Sequence, residues 1–112
     1  MGAARQDKTA IIAITKAGAE KGRHLHRCLK ESALYLPEKL HKEQDLEVTG
    51  FDYPLKELLG KVFPEYKRIV LFVSVGAVVR LLAPLVKSKQ EDPAVVVVDQ
   101  QGKFAISLLS GH

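Results

Sequence analysis

The chain has 112 residues, of which 46% are hydrophobic, and a formal net charge of +4. Its length favours one domain with a single modest core, and its composition is that of a globular chain rather than a disordered one. The positive charge is small and spread along the sequence, with no segment in which basic and aromatic residues interleave, so nucleic-acid binding is not expected. The longest apolar run is interrupted by Arg80 and Pro84, which argues against a membrane span.

Cys28 is the only cysteine in the chain. An internal disulfide and a cysteine-based zinc site are therefore excluded. A chain without a disulfide fits a reducing compartment. The amino terminus is polar and its first apolar run is too short for a secretory signal. From these observations we expect a cytoplasmic protein.

The first part of the chain predicts a tail, two strands and one helix. Residues 1–8 lack periodicity and are expected to form a flexible tail. The β-branched run 9–15 predicts a strand buried on both faces, as in a parallel sheet. Residues 19–30 carry apolar side chains at helical spacing and predict a helix. A second short strand is predicted at 33–36.

The middle of the chain alternates a loop, a helix, a strand and another helix. The charged stretch 38–50 is interpreted as a long surface loop. Apolar residues at i, i+3, i+4 and i+7 between about 52 and 63 give the clearest helix prediction in the chain. The apolar run 68–73 predicts a third strand, which leads through the turn 74–76 into a helix that Pro84 should end.

The last two strands are predicted to form a hairpin. The run 94–98 is a fourth strand, the turn 99–102 should place its glycine in the left-handed conformation, and 103–108 returns antiparallel. This order predicts one three-layer α/β domain over 1–112, with a mostly parallel five-stranded sheet, about three helices and one antiparallel hairpin at strands four and five. Because Ser110 and the glycine after it resemble a helix start, we expect the chain to be the amino-terminal part of a longer protein.

Arg80 is the one charged residue in the apolar run 69–86. An unpaired charge in apolar surroundings costs free energy, so Arg80 needs either solvent or an anionic partner. Gly76, at the start of the same helix, leaves room for backbone N–H groups to face an anion. Contact of Arg80 with water, and a tight turn at Gly76 without a ligand, are the alternatives that stay open.

Five short motifs stand in order along the chain: Ile11 to Gly18, Leu34 to Lys39, Gly76 to Leu85, Asp92 to Asp99, and Ile106 to His112. Together they resemble the amino-terminal domain of the CbiG family of cobalamin-biosynthesis proteins. The chain departs from the family at the turn Ser74-Val75-Gly76, where Ala-Thr-Gly is usual. The hydroxyl is kept but is displaced by one position.

The resemblance implies a hydrolase of the anaerobic route to vitamin B12, a branch of porphyrin metabolism. The family acts on cobalt-precorrin-5A, a cobalt-bearing tetrapyrrole, opening its δ-lactone and releasing acetaldehyde to give cobalt-precorrin-5B. The cobalt is carried by the substrate macrocycle, so neither a cofactor nor a protein metal site is expected. The implied alternative is a non-catalytic tetrapyrrole-binding or scaffold domain, whose chemistry resides in a carboxy-terminal part.

The resemblance also implies the partners of the domain. They are the anionic cobalt-corrinoid intermediate and the family's carboxy-terminal domain, with neither nucleic acid nor membrane among them. Whether identical chains assemble into a homo-oligomer is left open by the sequence.

Candidate site residues divide into a catalytic and a binding group. Lactone opening needs an activated water and donors for the developing oxyanion. His112 is the candidate base, since an imidazole exchanges protons near neutral pH, and Ser110 could orient water or cap a following helix. Substrate carboxylates are expected to meet six residues: Arg80, Gly76, Ser74, Thr15, Lys16 and Gly18. For His112 and Lys16, a frayed end and a solvated loop lysine remain the open alternatives.

The direction of the fourth strand decides whether the two groups share a pocket. Ligands of open α/β sheets bind at the carboxyl ends of the parallel strands. If the fourth strand is antiparallel to the third, Ser74 to Arg80 and Ser110 to His112 can line one pocket. If it is parallel, the hairpin returns the chain to the opposite edge and separates them.

Overall fold

A computed structural model describes residues 5–45 and 47–110 as six strands and three α-helices. The strands are β1 (Gln6–Ala13), β2 (Ser32–Pro37), β3 (Val48–Phe51), β4 (Tyr66–Phe72), β5 (Ala94–Val98) and β6 (Ala105–Ser110). The α-helices are α1 (Lys16–Cys28), α2 (Leu55–Val62) and α3 (Val75–Leu82), and a short 3-10 helix spans Glu38–Leu40. Within the described residues no helix is both long and apolar enough to cross a membrane.

One mixed sheet contains all six strands, in the order β3-β2-β1-β4-β5-β6. Strands β1 to β5 pair in parallel, and β6 pairs antiparallel with β5. The chain moves outward from β1 to β2 and β3, then crosses back to β4 on the other side of β1. Because successive strands leave β1 in opposite directions, the carboxyl ends of β1 and β4 flank the switch point of the sheet, the usual place for a crevice.

Helices cover both faces of the sheet, which confirms the three-layer α/β prediction. Alternate strand residues such as Ile12 and Leu71 pack with α2 and α3 on one face. Their neighbours Ile11 and Phe72 pack with Ala19 of α1 on the other. This alternation follows from the pleat of a strand, which directs successive side chains to opposite faces, and it explains why the central strands are apolar throughout.

Close approach of α1 to the sheet depends on small residues in the helix. A Cβ atom added at Gly18 would lie 3.2 Å from the Cβ of Phe72 and 3.3 Å from its carbonyl oxygen. The Thr15 side chain caps the helix by accepting a hydrogen bond of 3.0 Å from the Gly18 N–H group. Gly18 is therefore a packing residue at the start of α1, which places the helix amino terminus directly at the switch point.

The prediction of five strands was wrong by one, because the stretch interpreted as a loop contains β3. Only Phe51 in this strand is fully buried, while Thr49 is exposed, so the segment carries too little apolar pattern to be recognised alone. The segment forms a strand because it pairs with β2. The tail prediction was also wrong in part, since β1 begins at Gln6, which is exposed and pairs with Tyr66 of β4.

The hairpin prediction was confirmed. The Gly102 N–H group donates a 2.7 Å hydrogen bond to the Asp99 carbonyl oxygen, and Gly102 has a φ of 77°, in the left-handed region. The returning strand β6 extends to Ser110, two residues beyond the predicted end. Helix α3 ends at Leu82, as its following proline requires.

Candidate functional site

A cavity of about 540 Å³ opens at the carboxyl ends of β1, β4 and β5. It lies between the first turns of α1 and α3 on one side and the β5–β6 hairpin on the other, which is the switch point of the sheet. We call it the switch-point cavity. Its lining is apolar toward the sheet and polar at the rim: Ala17, Val73, Ser74, Val75, Val97, Asp99, Gln100, Gln101, Phe104 and Ile106.

Thr15 and Gln100 join the two sides of the switch-point cavity. The Thr15 hydroxyl donates a 2.9 Å hydrogen bond to the Gln100 Oε1 atom, while its oxygen accepts the N–H of Gly18. Thr15 ends the turn after β1 and Gln100 belongs to the hairpin turn after β5. This bond fixes the hairpin tip against the start of α1. Thr15, a predicted binding residue, thus lies outside the cavity lining and holds the hairpin tip beside α1.

The first turn of α3 offers hydrogen-bond donors to the same cavity. Ser74 precedes the helix and is exposed, and its side chain makes no capping hydrogen bond. The N–H groups of the first helical turn have no partner within the helix, and they carry the positive end of its dipole. A Cβ built at Gly76 meets no heavy atom within 4 Å. The predicted residues Ser74 and Gly76 therefore border open space in which an anionic group can approach the backbone.

Asp99 is the one acidic or basic side chain in the described lining of the switch-point cavity. It is not among the site residues that the sequence predicts. It follows β5 directly, and its Oδ2 atom lies 3.4 Å from the Lys103 N–H group that donates to it. Asp99 and Gln100 directly follow an apolar strand, and polar residues at the carboxyl end of a parallel strand can indicate a binding site. The sequence predicts only a turn at this position, and the structure contains that turn.

Arg80 lies in the last turn of α3, outside the lining of the switch-point cavity. Five residues along a helix correspond to about 8 Å of axial rise from the helix start. Its side chain is exposed, and it takes part in none of the ion pairs found among the described residues. The sequence left open whether Arg80 contacts solvent or an anionic partner, and in this structure it is exposed to solvent. An anionic ligand can still reach it from outside.

Ser110 lies at the opposite edge of the sheet from Ser74. Strand β5 is parallel to β4, with Ala94 beside Arg68, and the antiparallel β6 places Ser110 beside Ala94 at the amino end of β5. Of the two strand directions that the sequence leaves open, the structure has the parallel one, and the hairpin therefore returns Ser110 to the edge opposite Ser74. His112, the candidate base, falls outside the described residues.

A second cavity, of about 260 Å³, contains Lys16 and lies between α1 and the segment after β2. Arg23 and Asp45 stand beside it as a largely buried ion pair, with 14% and 5% of their side chains exposed. The Arg23 hydrogen bonds are the main cause that holds the pKa of the Asp45 carboxyl below its usual range, while burial opposes the shift. Lys16 thus lines a neighbouring cavity rather than the switch-point cavity itself.

Comparison with known families assigns the fold and the motifs. Residues 57–112, half of the chain, match the family described as Cobalamin synthesis G N-terminal. The chain belongs to this family. All lining residues of the switch-point cavity except Ala17 lie within the matched segment.

Two named proteins are similar to this chain along all or most of its length. A cobalt-precorrin-5A hydrolase of Priestia megaterium is 44% identical over 105 residues, which are 92% of this chain and 28% of that protein. A cobalt-precorrin-5A hydrolase of Salmonella typhimurium is 34% identical over 112 residues, the whole of this chain and 31% of that protein. The chain therefore spans less than a third of the length of these relatives.

A solved structure supports the fold of the Cobalamin synthesis G N-terminal domain described above. The crystal structure of a cobalamin biosynthesis protein G homolog from Sulfolobus solfataricus matches 94% of this chain and 30% of its own, with a TM-score of 0.68 and 24% identity. At this identity the similarity concerns the α/β architecture alone.

Among residues 5–45 and 47–110, no group of three or more histidine, cysteine or acidic side chains is arranged to hold a metal ion.

Proposed function

We propose that this domain binds an anionic cobalt-corrinoid at the carboxyl edge of its sheet and, within a longer protein, opens the δ-lactone of cobalt-precorrin-5A. Water adds to the acyl carbon and the acyl–oxygen bond breaks, which leaves a carboxylate and an alcohol. The alcohol then loses its proton as the carbon–carbon bond to the macrocycle breaks, so the two-carbon fragment leaves as acetaldehyde and the macrocycle carbon takes up a proton to give cobalt-precorrin-5B. The observation that carries the proposal is the switch-point cavity, formed by a chain of the Cobalamin synthesis G N-terminal family. Its volume exceeds what a single acyl group needs, and its apolar wall suits part of a flat macrocycle.

Each part of lactone hydrolysis has a counterpart in the cavity rim. A water molecule must lose a proton as it attacks the acyl carbon, and the carboxylate of Asp99 lines the cavity and can accept that proton. The carbonyl oxygen of the lactone acquires negative charge in the transition state. The exposed Ser74 hydroxyl and the first-turn N–H groups of α3 are donors on the other side of the cavity, where the helix dipole favours negative charge.

We assign the peripheral carboxylates of the substrate to one cation on each of the helices that follow β1 and β4. Arg80 presents an exposed guanidinium on α3, and a guanidinium can bind a carboxylate through two parallel hydrogen bonds. Lys16 presents an ammonium group at the start of α1. Cobalt enters as part of the substrate macrocycle, and lactone hydrolysis exchanges no electrons, so we propose no cofactor. We place the reaction in the cytoplasm, a location that the single Cys28 supports.

One observation favours the alternative of a non-catalytic tetrapyrrole-binding domain. Ser110, which the sequence suggested as a catalytic residue, lies at the far edge of the sheet. The described cavity lining therefore contains only one acid–base group, Asp99. If another part of the longer protein supplies the base, Asp99 has no catalytic role and the cavity only holds the substrate. The two functions differ in their dependence on the Asp99 carboxylate.

Acetaldehyde release distinguishes these functions. In a chimera, this chain replaces the matched 105-residue segment of the Priestia megaterium relative, and cobalt-precorrin-5A is the substrate. For a general base at Asp99 we expect Asp99→Asn to lower kcat by about 10²- to 10⁴-fold, while Ser110→Ala and the exposed-carboxylate control Asp52→Asn leave it unchanged. An Asp99→Asn chimera with unaltered kcat would assign the chemistry elsewhere. Loss of activity on Ser110→Ala would contradict the location of the site.

A further inference from the structure

The cavity beside α1 has a strongly basic lining. It lies between α1 and the segment 38–42 that follows β2. The cationic groups in its lining outnumber the acidic ones, since Glu20 is the one carboxylate among Lys16, Arg23, Lys39, Lys42 and His41, with Ala19 and Leu40 completing the wall. We call it the basic cavity.

The segment that carries two of these lysines is held in place by Arg23. The Arg23 Nε and Nη2 atoms donate 2.9 Å hydrogen bonds to the two carboxylate oxygens of Asp45, and Nη2 also donates to the Leu40 carbonyl oxygen at 2.8 Å. Asp45 in turn accepts the Lys42 N–H at 2.8 Å. The backbone of the segment 40–45 is thereby fixed at both ends. A positively charged surface presented by a fixed backbone loses little entropy when a ligand binds.

Three lysines supply the uncompensated charge of the basic cavity. Arg23 and Asp45 neutralise each other, whereas Lys16, Lys39 and Lys42 are exposed and take part in none of the ion pairs among the described residues. Like charges that converge on one cavity repel one another, and Glu20 is the single carboxylate in the lining that offsets them. An anionic ligand relieves this repulsion and gains from all three charges.

The basic cavity and the switch-point cavity meet at the start of α1. Lys16 lines the first and Ala17 lines the second. The elements that line the first follow β1 and β2, and those that line the second follow chiefly β4 and β5. Within the sheet these two pairs of strands are offset by two strand spacings, or about 10 Å. A flat macrocycle seated in the switch-point cavity can place charged side chains of its rim at this distance.

We propose that the basic cavity is a subsite for the peripheral carboxylates of the tetrapyrrole, with Lys16, Lys39 and Lys42 as their counterions. The subsite rests on the proposed function, because it requires a polycarboxylated macrocycle in the neighbouring cavity. Its role is in affinity and orientation, since none of these lysines lines the switch-point cavity. The contacts are solvent-exposed and therefore sensitive to salt.

Titration of the 112-residue chain with uroporphyrin, a tetrapyrrole with eight carboxylates, tests the subsite through quenching of porphyrin fluorescence. We expect Lys39→Gln/Lys42→Gln to weaken binding by about 3- to 10-fold at low salt, from two exposed ion pairs, and this difference to shrink as NaCl rises. The control Lys30→Gln/Lys89→Gln removes the same charge from exposed residues near the other edge of the sheet and is expected to bind like the wild type. Uroporphyrin octamethyl ester, which has no carboxylates, should not distinguish the variants.

Equal affinities of the two double variants for uroporphyrin would overturn the proposal, as would failure of the wild-type chain to bind uroporphyrin. Equal discrimination between the variants by the octamethyl ester would also overturn it, because carboxylates would then not be what the lysines recognise. Uroporphyrin has no lactone, so this result is independent of hydrolysis. A chimera that releases acetaldehyde while the lysine variants bind normally would retain the proposed function and reject the subsite alone.

Discussion

Replacement of Asp45 by asparagine tests whether the Arg23–Asp45 pair holds the segment of the basic cavity. The carboxylate accepts two hydrogen bonds from the guanidinium and one from the Lys42 backbone. Asparagine keeps the size of the side chain and one acceptor oxygen but removes the charge. Arg23 would then remain largely buried without an anionic partner.

The expected cost can be worked out from the exposure of the pair. Breaking a fully buried ion pair by removing one partner costs about 3–5 kcal/mol. Arg23 keeps 14% of its side chain exposed, and the segment lies at the surface, where water can reach the guanidinium when the pair opens. The remaining asparagine oxygen can also accept one hydrogen bond. We therefore expect Asp45→Asn to lower the free energy of unfolding by about 2–3 kcal/mol at neutral pH.

The effect of Asp45→Asn should depend on pH with a definite sign. Because the hydrogen bonds from Arg23 lower the pKa of Asp45 in the folded state, the stabilisation is present above the ordinary carboxyl pKa, about 4. It is lost as the pH falls through the lower folded-state pKa. The difference between wild type and variant should be constant between pH 5 and 8 and should shrink below about pH 4.

Urea denaturation monitored by circular dichroism, at pH 7 and at pH 3, measures both expectations. The exposed residue Asp52 provides a matched control, and Asp52→Asn should change the free energy of unfolding by less than about 0.5 kcal/mol. An Asp45→Asn variant as stable as the wild type at pH 7 would refute the reasoning. A difference that grows toward acid pH would refute the sign of the linkage.

Two further predictions concern stability. Gly18→Ala should destabilise the protein by about 1 kcal/mol, because the new methyl group meets the Cβ and carbonyl of Phe72, an overlap that exceeds the gain in helix propensity. Gly22→Ala should destabilise it less, because its new methyl group would meet only the terminal Cδ1 atom of the buried Leu34 within 3.4 Å. Burial and the hydrogen bond with the Tyr66 hydroxyl raise the pKa of Tyr35. This contribution is present below about pH 10, the ordinary pKa of tyrosine, and is lost above it, so Tyr35→Phe should show a weaker alkaline loss of stability than the wild type.

Thermal or urea unfolding checks both. A Gly18→Ala protein at least as stable as Gly22→Ala would show that α1 can move away from the sheet. Parallel stability curves of wild type and Tyr35→Phe between pH 9 and 11 would mean that Tyr35 keeps its proton no better in the folded state than in the unfolded one.

The parallel core of the fold could be predicted from the sequence because its signals are local. Continuous β-branched runs, such as 9–15, identify strands buried on both faces, and Gly102 identifies the hairpin turn. Strand β3 could not be predicted in this way. Its four residues gain their order from pairing with β2, a tertiary interaction that leaves no periodic pattern in Val48–Phe51.

The candidate site was predicted only in part, for a similar reason. Ser74 could be placed at the carboxyl edge because the strand before it and the helix after it are evident in the sequence. Ser110 could not be placed without the direction of β5, which depends on its pairing with β4. Asp99 was not predicted as a cavity residue because the sequence around it indicates only a turn. Gly18 is predicted to bind substrate, and its position in the structure is also explained by helix packing.

The proposed binding of cobalt-precorrin-5A at the carboxyl edge of the sheet is tested most directly by mapping which residues of the domain respond to this compound. Backbone amide chemical shifts, measured by nuclear magnetic resonance during titration, report this residue by residue. We predict the largest changes at 15–17, 74–76 and 99–101, around the switch-point cavity, and smaller ones at 39–42. Amides at the opposite edge, including that of Ser110, should not change. Changes centred on Ser110, with none at 74–76, would contradict the central claim that the substrate binds at the carboxyl edge of the sheet.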